Sequence, residues 1–460
     1  MKYIGPFLRI NSLSKDNIKN QLFYLSKESL KNIALESHCG IVISPNEIVK
    51  ENPNIDINTV KKFSPLLCVY KKASGKLLKT GNKLQWDSSR FRKDVNILSN
   101  AFMTLSLLEL SDYYSNFHNN HRDKLDLGNL YSVLTRHQLE FYALYLRNTE
   151  GVFVDKTDCS DPLFNELKFE GKSRKFKFYE QALLMCAYYR YSTLFDDEYS
   201  ENFRNFSLDI LNMFNDFRDE VYESSFEDKV KICLALNLFT EYSNNIDAQA
   251  ILLDLSDMII SELPVNRIPG KDDDVQLDSL TFMNFILLYK NTGIDKFKDV
   301  AVTLYDDLVT KYNDTIGIYV KNSNDKSIEY PSDEIVSYLS ALILYSDIMH
   351  DDKNDALIAD YFTKSIIDSN LVLSWPETPG LNDPEHYNNF SLKAEDLMAE
   401  QNFRIQNVPT PTSAELAPIF IKYISFNKKR DSFKNGKASF ESNKNMFIFF
   451  TSIFLHRHIF

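Results

Sequence analysis

Two stretches, EQALLMCAYYRYSTLFDDE from Glu180 and EIVSYLSALILYSDIMHDD from Glu334, decide the architecture. Each opens on an acid and carries an alanine at the matched position (Ala187, Ala341). A Tyr-Ser pair follows (Tyr191-Ser192, Tyr345-Ser346), and each closes on an acidic turn. Both have helical spacing with apolar residues on more than one face, and such a helix cannot bury itself alone. It has to stack on neighbours, as the units of a repeat architecture do.

Working outward, helix pairs recur at intervals of about 50 residues, within the window that signals a solenoid or a closed array. The spacing predicts pairs over 91–116 and 128–148, 177–196 and 200–221, 227–243 and 247–262, 276–291 and 295–312, 333–349 and 355–369, and 412–426 and 440–456. GVFVDK (151–156) and GIYVKN (317–322) each follow the second helix of a pair and alternate like a short strand. DSLTFMNFILLYKNTGIDKFKDVAVTLYDDLV from Asp278 reads as acid, apolar helix, Thr-Gly turn and second helix.

On these hairpins, their period and their turns, the chain from Arg90 onward resembles the six-hairpin (α/α)6 toroids. That superfamily contains many glycoside hydrolases, polysaccharide lyases and sugar epimerases related to N-acylglucosamine 2-epimerase. The resemblance implies a mainly α fold and an enzyme of the glycoside-hydrolase or sugar-epimerase kind, although no active-site motif is matched residue by residue. A right-handed open α-solenoid is the alternative arrangement of the same hairpins. Residues 1–88 differ in character, with amphipathic pieces over 16–26 and 28–37, an apolar GIVI (40–43), and a hairpin read from PLLCVYKKASGKLLKTG around Ala73-Ser74-Gly75. The expectation is a small α+β N-terminal region (1–88) packed as a cap on a toroid of residues 89–460.

Composition narrows the function classes. Neither G-x-G-x-x-G nor a P-loop occurs, and only 12 glycines are present in 460 residues, so phosphate-cradling loops of those kinds are excluded. The formal charge of -12 argues against nucleic acid or an anionic membrane as principal partner. The five cysteines are scattered and out of metal-ligand register, so they read as free thiols in a reducing compartment. With no leader-like apolar run, the expectation is a cytoplasmic monomer or weak dimer. MFIFFTSIFL (446–455) is too short to cross a bilayer and reads as a buried closing element.

If the first helices of all pairs start at one end, the loops ahead of Glu180, Glu227, Asp278 and Asp333 converge on one mouth. Paired carboxylates there can act as acid and base, one kept protonated by burial, as glycosidic cleavage requires. Glu180, Asp333 and Glu334 are the candidates for that chemistry. Tyr179, Asp155 of GVFVDK and Asp278 are ligand-binding candidates beside them. The competing reading is structural, since acids in a first helical turn also satisfy free amides and the helix dipole. The long irregular stretch 373–413 supplies Trp375, Glu377 and His386, with Glu385 and Tyr387, a mix of aromatic, acid and imidazole that suits a sugar ring. No metal or cofactor is expected: H-E-x-x-H is absent, and the Asp272-Asp273-Asp274 run reads as a solvated helix start. The sequence therefore predicts a carbohydrate-active or carbohydrate-binding toroid, with a non-catalytic helical scaffold for a protein or peptide partner as the alternative.

Overall fold

The computed structural model of the protein describes residues 13–457 apart from 53–54, 82, 118–120, 162–165, 173–174, 267–273, 322–324, 378, 380–382, 384 and 386–412. The N-terminal region contributes helices α1 (Lys15–Lys31), α2 (Pro45–Glu51) and α3 (Ile57–Val60). Then come α4 (Ile97–Ser115), α5 (Arg122–Tyr145), α6 (Phe178–Leu194), α7 (Ser200–Asp216) and the short α8 (Arg218–Tyr222). They are followed by α9 (Phe226–Ser243), α10 (Ile246–Asn266), α11 (Val275–Thr292), α12 (Asp295–Thr310), α13 (Ser332–Met349), α14 (Asp355–Phe362) and α15 (Ser442–His456).

Burial sorts these helices into two rings. Every residue from Tyr179 to Tyr188 in α6 and from Ser332 to Ser346 in α13 is buried, whereas α7 hides only its first residue, Ser200, and the stripe Phe203, Ser207, Ile210, Leu211 and Phe214. A helix apolar on all sides belongs inside, and one with a single stripe lies outside. The inner helices close a ring: α4 packs on α6, α6 on α9, α9 on α11, α11 on α13, α13 on α15, and α15 back on α4. This is a closed toroid, and the open solenoid is excluded. Outer helices α5, α7, α10, α12 and α14 pack on α4, α6, α9, α11 and α13 in turn.

Helix α1 packs on α15, from Lys15 beside Ser346 and Asp347 at the end of α13 to Phe23 against Tyr113 at the end of α4. Seven strands come first along the chain: β1 (Gly40–Val42), β2 (Leu66–Ser74), β3 (Leu77–Thr80), β4 (Lys83–Trp86), β5 (Arg92–Val95), β6 (Lys156–Asp158) and β7 (Phe169–Gly171). Later come β8 (Tyr312–Asn313), β9 (Ile318–Tyr319), β10 (Ser327–Pro331), β11 (Tyr423–Asn427), β12 (Ser432–Asn435) and β13 (Ser439–Glu441). The main sheet runs β1-β2-β5-β6-β7 with β13 added to β2, and a second sheet runs β10-β11-β12. Strands β5, β10 and β13 lead directly into α4, α13 and α15, so the sheets gather where inner helices begin.

Three sequence expectations are corrected. The 412–426 helix is absent: β11 alternates buried Ile424 and Phe426 with half-exposed neighbours, a period of two, and pairs with β10 and β12. The hairpin at Ala73-Ser74-Gly75 does not form, because β2 is a long buried strand taken by β1, β5 and β13, leaving β3 to pair with β4. The pieces 16–26 and 28–37 are one continuous helix, α1, extended by a π turn over Asn32–Glu36. The Thr-Gly turn after α11 is present, with Gly293 at φ 70°, where a residue without a Cβ is unstrained.

Candidate functional site

The first turns of all six inner helices meet around one cavity of about 160 Å3. Its floor is apolar, built by Leu98 and Phe102 of α4, Leu183 of α6, Leu234 of α9, Leu277 and Leu280 of α11, and Phe447 of α15. The rim is polar: Tyr179, Glu227, Lys231, Asp274, Gln276, Asp333 and Asn443. This volume is far above the roughly 10–15 Å3 needed to admit one water, and the polar rim offers partners for water or for hydroxyls.

Helical phase decides which candidates reach it. Neighbouring residues on a helix point about 100° apart. Tyr179 and Leu183 therefore enter the cavity while Glu180 turns aside between helices, and Asp333 enters while Glu334 does not. On α11, Leu277 enters and Asp278 turns aside. Of the nine sequence candidates, Tyr179 and Asp333 line the cavity.

The remaining acids are held around the helix starts. Asp155 accepts from the Ile97 amide (2.9 Å) and from Asn96 Nδ2 (3.0 Å), capping α4 from a different loop. Glu180 is 3% exposed and accepts from Lys177 Nζ at 3.0 Å. Burial, reinforced by the nearby Asp155 charge, pushes its carboxyl up to about 7 against the opposing pull of Lys177 and Lys231. Glu334 accepts from Lys321 at 2.7 Å, and burial raises its carboxyl too. Asp278 accepts from Lys311 at 2.7 Å and Asp333 from Lys444 at 2.5 Å. Glu227 pairs with Lys231, whose ammonium also lies 5.2 Å from the Tyr179 ring centre. A lysine thus sits on a carboxylate at the starts of α6, α9, α11 and α13.

The candidates of the long C-terminal stretch are placed elsewhere. Trp375 is buried, with 7% exposed, and does not line the cavity. Glu377 is exposed, and its carbonyl accepts from Tyr24 Oη of α1 at 2.6 Å. His386 and Tyr387 lie outside the described residues. Glu385 is buried, accepts from Lys27, Lys124 and Tyr113, and is held down to about 2 by the two lysines despite its burial. Among the described residues no group of three or more His, Cys, Asp or Glu is placed to hold a metal ion. None of their helices is long and apolar enough to cross a membrane.

Sequence reasoning missed Lys231, Gln276 and Asn443 as rim residues, and took Glu227 and Asp274 only as helix starts. Glu227 and Lys231 stand four apart, which reads as an ordinary surface pair on one helix. Only ring closure turns that face inward.

No family model matches the chain, and no curated protein matches it. Solved structures do match. A D-mannose isomerase aligns at 10% identity over 85% of this chain and 91% of its own, with a TM-score of 0.51. The cellobiose 2-epimerase of Spirochaeta thermophila aligns at 9% identity over 95% and 97%, with a TM-score of 0.51. That of Bacillus thermoamylovorans aligns at 8% identity over 89% and 99%, with a TM-score of 0.50. At such identities the likeness concerns the fold, which is the (α/α)6 toroid.

Proposed function

We propose that the chain binds a sugar or the end of a glycan in the mouth cavity and acts on it with the acids around that mouth. The observation that carries this reading is the cavity itself: an apolar floor with a ring of donors and acceptors above it, the mix that receives a sugar's C–H face and its hydroxyls together. The isomerase and epimerase on the same fold support a sugar as the ligand class. In this reading Tyr179 stacks on the ring and Asp333 accepts from a hydroxyl, while Glu180, turned aside from the cavity, holds the start of α6 with Lys177. Glu334, Asp278 and Asp155 fix the helix starts, while Trp375 and Glu377 lie away from the cavity and take no part in this reading. The five free cysteines, four of them buried, support a cytoplasmic location, and a monomer or weak dimer is the proposed state.

One observation favours a second reading, a non-catalytic helical scaffold for a protein or peptide. Each mouth carboxylate that carries a lysine has its charge already balanced, which suits holding a ligand better than moving its protons.

A thermal-shift screen of the full chain against monosaccharides and oligosaccharides separates the two. A ligand at 100 times its Kd stabilises the native state by about 2.7 kcal/mol, with or without turnover. A stabilising sugar whose effect disappears in Tyr179→Ala and Asp333→Asn supports the sugar site, and its consumption or isomerisation by the wild type adds the enzyme. A flat response across the panel moves the assignment to the scaffold.

A further inference from the structure

A second cavity, of about 800 Å3, shares no residue with the mouth. It is a groove between one face of the main sheet and the C-terminal half of α5. Its apolar lining includes Val42 of β1 and Phe141 and Leu144 of α5, and two of these are strongly exposed, Val42 at 39% and Leu144 at 76%. Exposed apolar side chains facing one groove mark a surface that gains by being covered.

The charge around this apolar strip is mainly negative. Glu47 of α2, Glu140 of α5, Asp158 of β6, and Asp161 and Glu166 in the β6–β7 connection all line it, against a single lysine, Lys93. His137 also lines it, and burial together with the adjacent Arg136 lowers its imidazole to about 4, so it brings no charge at neutral pH. Glu140 pairs with Arg136 at 3.4 Å, and Asp158 takes the Tyr70 hydroxyl at 2.5 Å with Lys93 at 3.9 Å. Among the described residues Glu47 and Glu166 have no cationic partner. Strand β1 is the end strand of the sheet, so a further extended segment can add to its outer edge.

We propose that this groove docks an extended segment of a partner protein in which Lys or Arg stands beside Leu, Ile or Phe. The apolar residue covers Leu144 and Val42, and the cation meets Glu47 and Glu166. The complementarity is electrostatic as well as apolar, so it sets both the choice of partner and the salt dependence of binding. This proposal is independent of the mouth: it requires no sugar and survives a negative sugar screen.

The test is selection of a displayed random-peptide library on the full chain, followed by anisotropy titration of the selected peptides. Enrichment of peptides carrying Lys or Arg within two residues of an aliphatic or aromatic residue is expected. Leu144→Glu, and separately the double change Glu47→Lys with Glu166→Lys, should each weaken their binding at least tenfold while the melting temperature holds. Higher salt should weaken it as well. Selection without that signature, or selected peptides that bind both variants as tightly as the wild type, would overturn the proposal. Complete displacement by millimolar spermine at fixed ionic strength would assign the groove to a small polycation and overturn it too.

Discussion

Glu109, fully buried in α4, receives both arms of Arg190 from α6: Nε donates to Oε1 at 2.9 Å and Nη2 to Oε2 at 3.2 Å. Tyr242 of α9 donates to the same carboxylate at 2.8 Å, and Arg457, just past α15, approaches at 3.2 Å. Four elements of the inner ring are thereby tied through one side chain near the end opposite the mouth. Two guanidinium groups and a phenol satisfy a charge that would otherwise be costly inside the protein.

Neutralising that carboxylate should therefore be expensive. Removing one member of a buried ion pair typically costs about 3–5 kcal/mol, because its partners stay buried and uncompensated. Glu109→Ala is expected to lie in that range, read as a lower denaturant midpoint. A loss below about 1 kcal/mol would show that the pairs are solvated, as surface pairs are.

Glu180 makes stability depend on pH in an unusual direction. Its carboxyl is raised in the fold from about 4.5 to about 7, so between those values the native state holds a proton that the unfolded chain has released. Stability then falls as pH rises through that window, by about 3 kcal/mol at most for a shift of this size. Glu180→Gln should flatten this slope in urea titrations at pH 4.5 to 7.5. An unchanged slope would locate the dependence elsewhere.

Glu385 works in the opposite sense. Lys27 and Lys124 hold it down to about 2, so its contribution is present above the ordinary carboxylate range and is lost as pH falls toward 2. Lys27 is 1% exposed and lies on α1, so Lys27→Met leaves Glu385 with one lysine. A loss of about 3 kcal/mol at pH 7 is expected. The difference between variant and wild type should shrink below pH 3, as measured by thermal melts across that range.

The N-terminal region is proposed to be a cap on the toroid and not a module of its own. Ile18, Leu22, Leu25 and Leu30 of α1 are fully buried. Each such side chain contributes about 1.5–3 kcal/mol on burial. A chain lacking residues 1–88 should lose its cooperative melt or aggregate, since α15 would present its covered face to water. A cooperative transition at the wild-type temperature would argue that the two parts fold separately.

How much of this could be read in advance follows from the range of each signal. Helices α6, α11 and α13 are legible because an apolar run on every face admits few alternatives, and their ends match the expected ones within a residue or two. The partners of β2 are not legible, since β5 follows only after the intervening β3–β4 hairpin, β13 comes from the far end of the chain, and local turn chemistry at Gly75 says nothing of either. At the site, the first helical turns pointed to the end of the ring where the candidate cavity lies. They could not separate Tyr179 from Glu180, because the rotation of a helix about its axis is set by its neighbours. The rim residues Gln276 and Asn443 carry no pattern at all until six helix starts are brought together.

Closure of the ring has a temporal side. Helix α15 seals the gap between α13 and α4, and α1 then lies over the seal, so contacts such as Lys15 with Asp347 join segments that leave the ribosome far apart in time. Until α15 is made, the growing chain is a horseshoe whose two end helices show apolar faces to solvent or to a chaperone. Contacts of such long sequence separation slow folding and lengthen the exposure of incomplete species. Synthesis that pauses after α13 should thus yield a sticky intermediate, rescued only when the last helix arrives.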